Sequence, residues 1–101
     1  MGKEPDIKSY SEFWPFYLSQ HSQARTRHWH VVGMLVALSA AAFFASTGRS
    51  RWLLSCPFIG YAFAWYSHFF VEKNRPATWR YPVWSFLSEF RMVAMVLLGR
   101  L

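Results

Sequence analysis

Four histidines, His21, His28, His30 and His68, and the carboxylate of Glu72 are the side chains of this sequence best suited to chemistry. Imidazole binds iron and zinc well and titrates near neutrality. Taken singly, each histidine has an ordinary explanation: His21 as a solvated loop residue, His28 as an interfacial side chain, His30 or His68 as a satisfied packing residue. Their joint placement argues for more. On a helix, His30 lies about 4.5 Å beyond Arg27 and His68 lies about 6 Å before Glu72. If the two helices run antiparallel, both imidazoles therefore sit at nearly the same depth.

The elements that must hold them are read from charge. No Asp, Glu, Lys or Arg occurs between Arg27 and Arg49, or between Arg51 and Glu72, leaving gaps of 21 and 20 residues. A bilayer core about 30 Å thick needs about 20 helical residues to cross it. The first gap, 28–48, and the second, 52–71, are each long enough for one span. The connection is so short that the second helix must turn straight back beside the first. With 53% hydrophobic and 21% aromatic residues in 101, the chain carries more apolar surface than a small soluble fold can bury. The expected fold is all-α: one integral membrane domain over 1–101, built on a helical hairpin of two transmembrane helices with flanking amphipathic or interfacial helices.

His30, Gly33, Met34, Ala37, Ala40 and Ala41 line one side of the first helix, while Gly60, Ala64, His68 and Glu72 follow at steps of four on the second. Small residues at such spacing let membrane helices approach closely, so these faces are expected to meet. That would bring His30 to His68, with Glu72 one turn beyond. His21 could fold over the mouth, and His28, about 200° around the helix from His30, should point elsewhere. Two imidazoles and a carboxylate suit iron or zinc. Spacing alone leaves open a hydrogen-bonded polar cluster that locks the hairpin.

Flanking the hairpin, Ser9 and Glu12 have capping-box spacing ahead of an aromatic stretch, 9–21, suited to the headgroup level, with Pro15 expected to bend it. Pro82 can open a helix over 82–99, amphipathic or tilted against the hairpin, in which Glu89 and Arg91 argue against a clean third span. Nine of eleven basic residues fall on the side of the termini, and only Arg49 and Arg51 on the other. The positive-inside rule then makes both termini cytoplasmic. This placement accounts for the net charge of +6 without nucleic acid, which is not an expected partner. No cleavable signal is expected, and the lone Cys56 provides no disulfide framework.

The run His68-Phe69-Phe70-Val71-Glu72-Lys73-Asn74-Arg75-Pro76-Ala77 resembles the GHxxFEKxxPA signature of the Mpo1-like family. Upstream, Phe16 to His21 followed by His30-Val31-Val32-Gly33 resembles that family's paired N-terminal histidines. The likeness to its short bacterial members extends from about Ser9 to Leu101 and points to a bacterial inner membrane. It implies an Fe(II)-dependent dioxygenase that shortens a 2-hydroxy fatty acid by its carboxyl carbon, with dioxygen as co-substrate. His21, His30 and His68 are the positions onto which the family's important histidines carry over, as catalytic residues and metal ligands. Glu72 matches the signature and joins the candidate ligands, with iron preferred to zinc; His28 has no counterpart. Lys73, Arg75 or Arg80 would pair with the substrate carboxylate, and the acyl chain would lie among Trp65, Phe69 and Phe70. The alternative function is a non-catalytic lipid-binding or assembly module. A homo-oligomer sharing the small-residue faces is a further expectation, on the ground that two spans alone enclose a site poorly.

Overall fold

The computed structural model describes residues 6–101, and its regular elements are all helical. Helix α1 covers Tyr10–Ser19, α2 Ala24–Ser46, α3 Cys56–Ser67 and α4 Pro82–Leu97. Before α3 the chain winds as a 3₁₀ helix over Ser50–Ser55, and after it as a π-helix over His68–Glu72. Helical backbone thus runs unbroken from Ser50 to Glu72. The change of winding has a local cause at Pro57, in the first turn of α3. Its ring would clash with the carbonyl four residues back if the α-helix extended toward the N-terminus.

Helix α1 starts where Ser9 Oγ accepts from the Glu12 amide at 3.3 Å, and it continues through Pro15. Helix α2 ends in a Schellman turn. Arg49 N–H donates to Phe44 O at 2.8 Å and Gly48 N–H to Ala45 O at 3.4 Å, with Gly48 at φ +75°. The chain then reverses, and α3 packs antiparallel on α2 through the small residues. A Cβ added at Gly33 would stand 2.5 Å from Phe63 Cβ and 3.2 Å from Gly60 O, while one at Gly60 would meet Ala37 Cβ at 3.7 Å. The backbones approach this closely because neither glycine has a side chain.

Helices α1 and α4 close over the hairpin end that carries the histidines. Their shared core is Phe13, Tyr17 and Met92 with Ile7 and Ala77, so these α1 aromatics face inward to α4 instead of toward headgroups. Both charged residues inside α4 are partnered. Arg91 lies over the Trp14 ring at 4.0 Å, and Glu89 joins the histidine cluster.

The outer surface is unusually apolar for a water-soluble domain, and several polar side chains join the apolar ones inside. Leu35, Leu38 and Phe43 on α2, Phe58 on α3 and Val83, Leu87 and Leu97 on α4 are exposed, whereas Thr26, Ser67, Ser85 and Ser88 are buried. Among the described residues one helix, α2, is long and apolar enough by length and composition to cross a membrane.

Candidate metal centre

Three elements deliver one histidine each. His21 follows the end of α1, His30 sits in the second turn of α2, and His68 opens the π-helix. All three are buried, at 1%, 3% and 2% exposure. Ring centroids are 4.5 Å apart for His21 and His30, 4.6 Å for His21 and His68, and 5.2 Å for His30 and His68. One ring nitrogen from each lies within 4.8 Å of the other two.

The hydrogen bonds decide which nitrogen that is. His21 Nδ1 lies 2.6 Å from Tyr17 O, a carbonyl that only accepts. His30 Nδ1 lies 2.6 Å from Glu89 Oε1, which also accepts from the Tyr17 hydroxyl at 2.7 Å. His68 Nδ1 lies 2.7 Å from Asn74 Oδ1. The Asn74 amide is oriented by its own Nδ2, which donates to Gln20 O at 3.0 Å and Gln20 Oε1 at 3.2 Å. Each Nδ1 must therefore carry the proton, and each Nε2 keeps its lone pair. The Nε2 atoms of His21 and His30 are buried with no hydrogen-bond partner. Imidazoles that bind metal show this pattern: one nitrogen donates outward to a carboxylate, carbonyl or amide oxygen, and the other is free for the ion.

Electrostatics keeps His21 neutral where the connection between α1 and α2 meets the cluster. Burial, followed by the positive charges that His30 and His68 would carry, pushes the His21 imidazole well below its ordinary value of 6.5. A proton therefore competes weakly for its lone pair at neutral pH. Burial and the neighbouring Glu89 push Tyr17 well above 10.0, so its hydroxyl remains a donor to that carboxylate.

Glu72 is not brought to the cluster, contrary to its expected place beside His68. The winding ends at Lys73 with φ 65°, and the donors that meet the Glu72 carboxylate lie before and within the first turn of α2. The carboxylate instead caps the N-terminus of α2. Oε2 accepts from Ser22 N–H at 3.2 Å and from the Ser22 hydroxyl, and Oε1 from Gln23 N–H at 3.2 Å and the Thr26 hydroxyl at 2.6 Å. Helix α2 has no acidic residue in its first turn and no side-chain bond from its own cap residue, so Glu72 supplies the negative charge that end attracts.

His28 is exposed and lies away from the other three. Of the candidate substrate residues, Trp65 borders the small cavity beside His30 and His68, and Phe69 packs against Trp79 with centroids 5.7 Å apart. Lys73 and Arg75 are exposed on the loop beyond, while Arg80 lies over Tyr81 and 3.7 Å from Asp6. The residues that sequence reasoning missed are Glu89, Asn74 and Tyr17. Glu89 was visible only as a charge interrupting an apolar helix, and Asn74 as an unspecified position inside the signature.

A family model described as 2-hydroxy-palmitic acid dioxygenase Mpo1-like matches residues 7–101. No curated protein and no solved structure matches the chain.

Proposed function

The chain belongs to the Mpo1-like family, and from that footing we propose that it is a membrane-bound Fe(II)-dependent dioxygenase of 2-hydroxy fatty acids. The observation that carries this reading is the set of three buried imidazoles whose Nδ1 protons are all directed outward. Two buried Nε2 atoms without partners are a costly feature in a protein with nothing between them. A metal ion would complete all three lone pairs, and neutral imidazole suits ferrous iron.

His21, His30 and His68 would hold the iron, with Glu89, Tyr17 O and Asn74 fixing the rings. Ferrous iron, when bound, supplies the electron-transfer chemistry that dioxygen needs to react with a hydroxy acid. The overall change is balanced: the bond between the carboxyl carbon and the hydroxyl-bearing carbon breaks, dioxygen is reduced, and a shorter acid, carbon dioxide and water result. Glu89 keeps His30 in one tautomer through the reaction. Lys73, Arg75 and Arg80 form a basic rim for an incoming carboxylate, and Trp65 and Phe69 an aromatic wall beside it.

The apolar outer surface supports a membrane setting for this chemistry. Exposed apolar side chains on α2, α3 and α4 suit lipid, and the buried polar side chains gathered around the three histidines suit an enclosed site. We read the continuous winding from Ser50 through Val71 as a second span, with Glu72 at its end outside the hydrocarbon. Its 3₁₀ and α portions alone rise about 30 Å.

The test is metal content by mass spectrometry on protein purified anaerobically in mild detergent, with turnover of 2-hydroxy fatty acids assayed alongside. Wild type should carry near-stoichiometric iron that His68→Ala loses, together with formation of an acid one carbon shorter. Negligible metal in both proteins, each well folded, would overturn the reading and favour a structural polar cluster in a lipid-binding module.

A further inference from the structure

A cavity of about 360 Å³ runs between α2, α3 and α4. Its walls are almost entirely apolar, with Met34, Ala37, Gly60 and Phe90 along its length. At one end it shares Tyr61, Ala64 and Glu89 with the small cavity bordered by His30 and His68. At the other end stand Ala41 and Leu53. The groove therefore leads from the histidine cluster toward the turn of the hairpin. The small cavity contains two buried donors with no acceptor in the protein, Trp65 Nε1 and Ser85 Oγ. Ser85 is 3% exposed.

We infer, resting on the dioxygenase reading, that this groove binds the acyl chain of the substrate and gauges its length. A carboxylate oxygen accepts from Trp65 and Ser85 beside the histidines, and the chain end meets Ala41 and Leu53. An oxygen acceptor is what two orphaned buried donors lack. The dimensions suit the chain. His30 to Ala41 spans about 16 Å along α2. At roughly 30 Å³ per small group, taking the liquid volume of water as a guide, the cavity holds about a dozen chain atoms. The orientation also suits a bilayer. A fatty acid there has its carboxylate at the interface and its tail in hydrocarbon, so it can enter the groove sideways without its tail crossing water.

Each methylene buried in the groove should raise affinity about fourfold, from about 0.8 kcal/mol per buried methylene. The experiment measures displacement of a fluorescent fatty acid by 2-hydroxy acids of increasing length. It uses the full chain in detergent, both iron-loaded and metal-free. Affinity should climb with length and then level off once the chain end reaches Ala41. In Ala41→Trp the levelling should come about four carbons earlier, weakening long acids on the order of a hundredfold and leaving short ones unchanged. Leu53→Trp should give the same shortening if Ala41→Trp does not fold. Leu35→Trp, on the exposed side of α2, should match wild type. Ser85→Ala should weaken the acids more than their methyl esters, whose carbonyl accepts only a neutral and weaker hydrogen bond.

Unchanged length dependence in both groove variants overturns the assignment, even if iron and turnover are present. Shortened length dependence in a protein without iron or turnover would support the groove and sink the dioxygenase reading alone.

Discussion

Glu89, and not Glu72, is the carboxylate that meets the histidine cluster, and it bonds the outward Nδ1 of His30 where Glu72 had been expected as a ligand. Outer hydrogen-bond partners of metal-binding histidines typically change affinity tenfold to a hundredfold when removed. Glu89→Gln keeps an acceptor for His30 and should weaken Fe(II) about tenfold, while Glu89→Ala also frees the Tyr17 hydroxyl and should approach a hundredfold. Anaerobic chelator competition reads both, and wild-type affinity in Glu89→Ala would remove Glu89 from the site. Glu72 belongs to a different measurement. Burial raises its carboxyl pKa, but the hydrogen bonds from Ser22, Thr26 and Gln23 outweigh burial and hold it below its ordinary 4.5. A carboxyl depressed in the folded state stabilises above its unfolded value, and that stability is lost as pH falls through the folded one. Wild type should thus lose melting temperature below about pH 4.5, whereas Glu72→Gln should melt lower at neutral pH and vary less in that acid window. An equal acid slope in the two would show that the cap is not the cause. The pairing of His30 with His68 was legible because helix periodicity over a few residues is reliable. Glu89 was not, because it lies 59 residues from His30 on a helix whose docking no local pattern specifies.

At the scale of elements, the hairpin contact concentrates on two glycines that respond differently to the same change. Gly33→Val forces its Cβ against Phe63 and the Gly60 carbonyl, neither of which is the free end of a flexible chain. The helices must separate, at a cost of about 1–3 kcal/mol, the usual range for overpacking. The separation also pulls His30 from His68, so iron content should fall with thermal stability. Gly60→Ala makes an ordinary contact with Ala37 and should be tolerated on both counts. Equal loss in the two variants would show that close approach at Gly33 is not what sets the histidine spacing. The meeting of these faces was legible from small residues at steps of three and four. The π-helix was not, since nothing in His68–Glu72 marks a change of winding, and neither was the cap that Glu72 places on the start of α2. The α1 aromatics were misread for a related reason. A stretch rich in Phe, Trp and Tyr looks the same whether it meets headgroups or a neighbouring helix, and only the position of Met92 on α4 decides.

At the scale of the whole molecule, one chain encloses the three histidines by itself, so enclosure gives no reason for a partner subunit. The long dimension is 47 Å, similar to the 40–45 Å of a bilayer with its headgroups. If α2 and the winding from Ser50 to Val71 both span and α4 does not, the turn near Ser50 and the C-terminus near Arg100 lie on opposite faces. The positive-inside rule would then put the histidine end in the cytosol, where a reducing environment favours ferrous iron. Cys56 is the only cysteine and is buried, so single-cysteine labelling has a clean background after Cys56→Ser. In whole cells a membrane-impermeant maleimide should label Ser50→Cys directly and Arg100→Cys only after permeabilisation. Labelling of both positions in intact cells would mean an odd number of crossings, one if the winding from Ser50 stays outside or three if α4 also spans, and would overturn the two-span reading. The reverse pattern would keep two crossings but turn the histidine end outward, into a compartment where Fe(II) oxidises readily and the proposed chemistry has no protected cofactor.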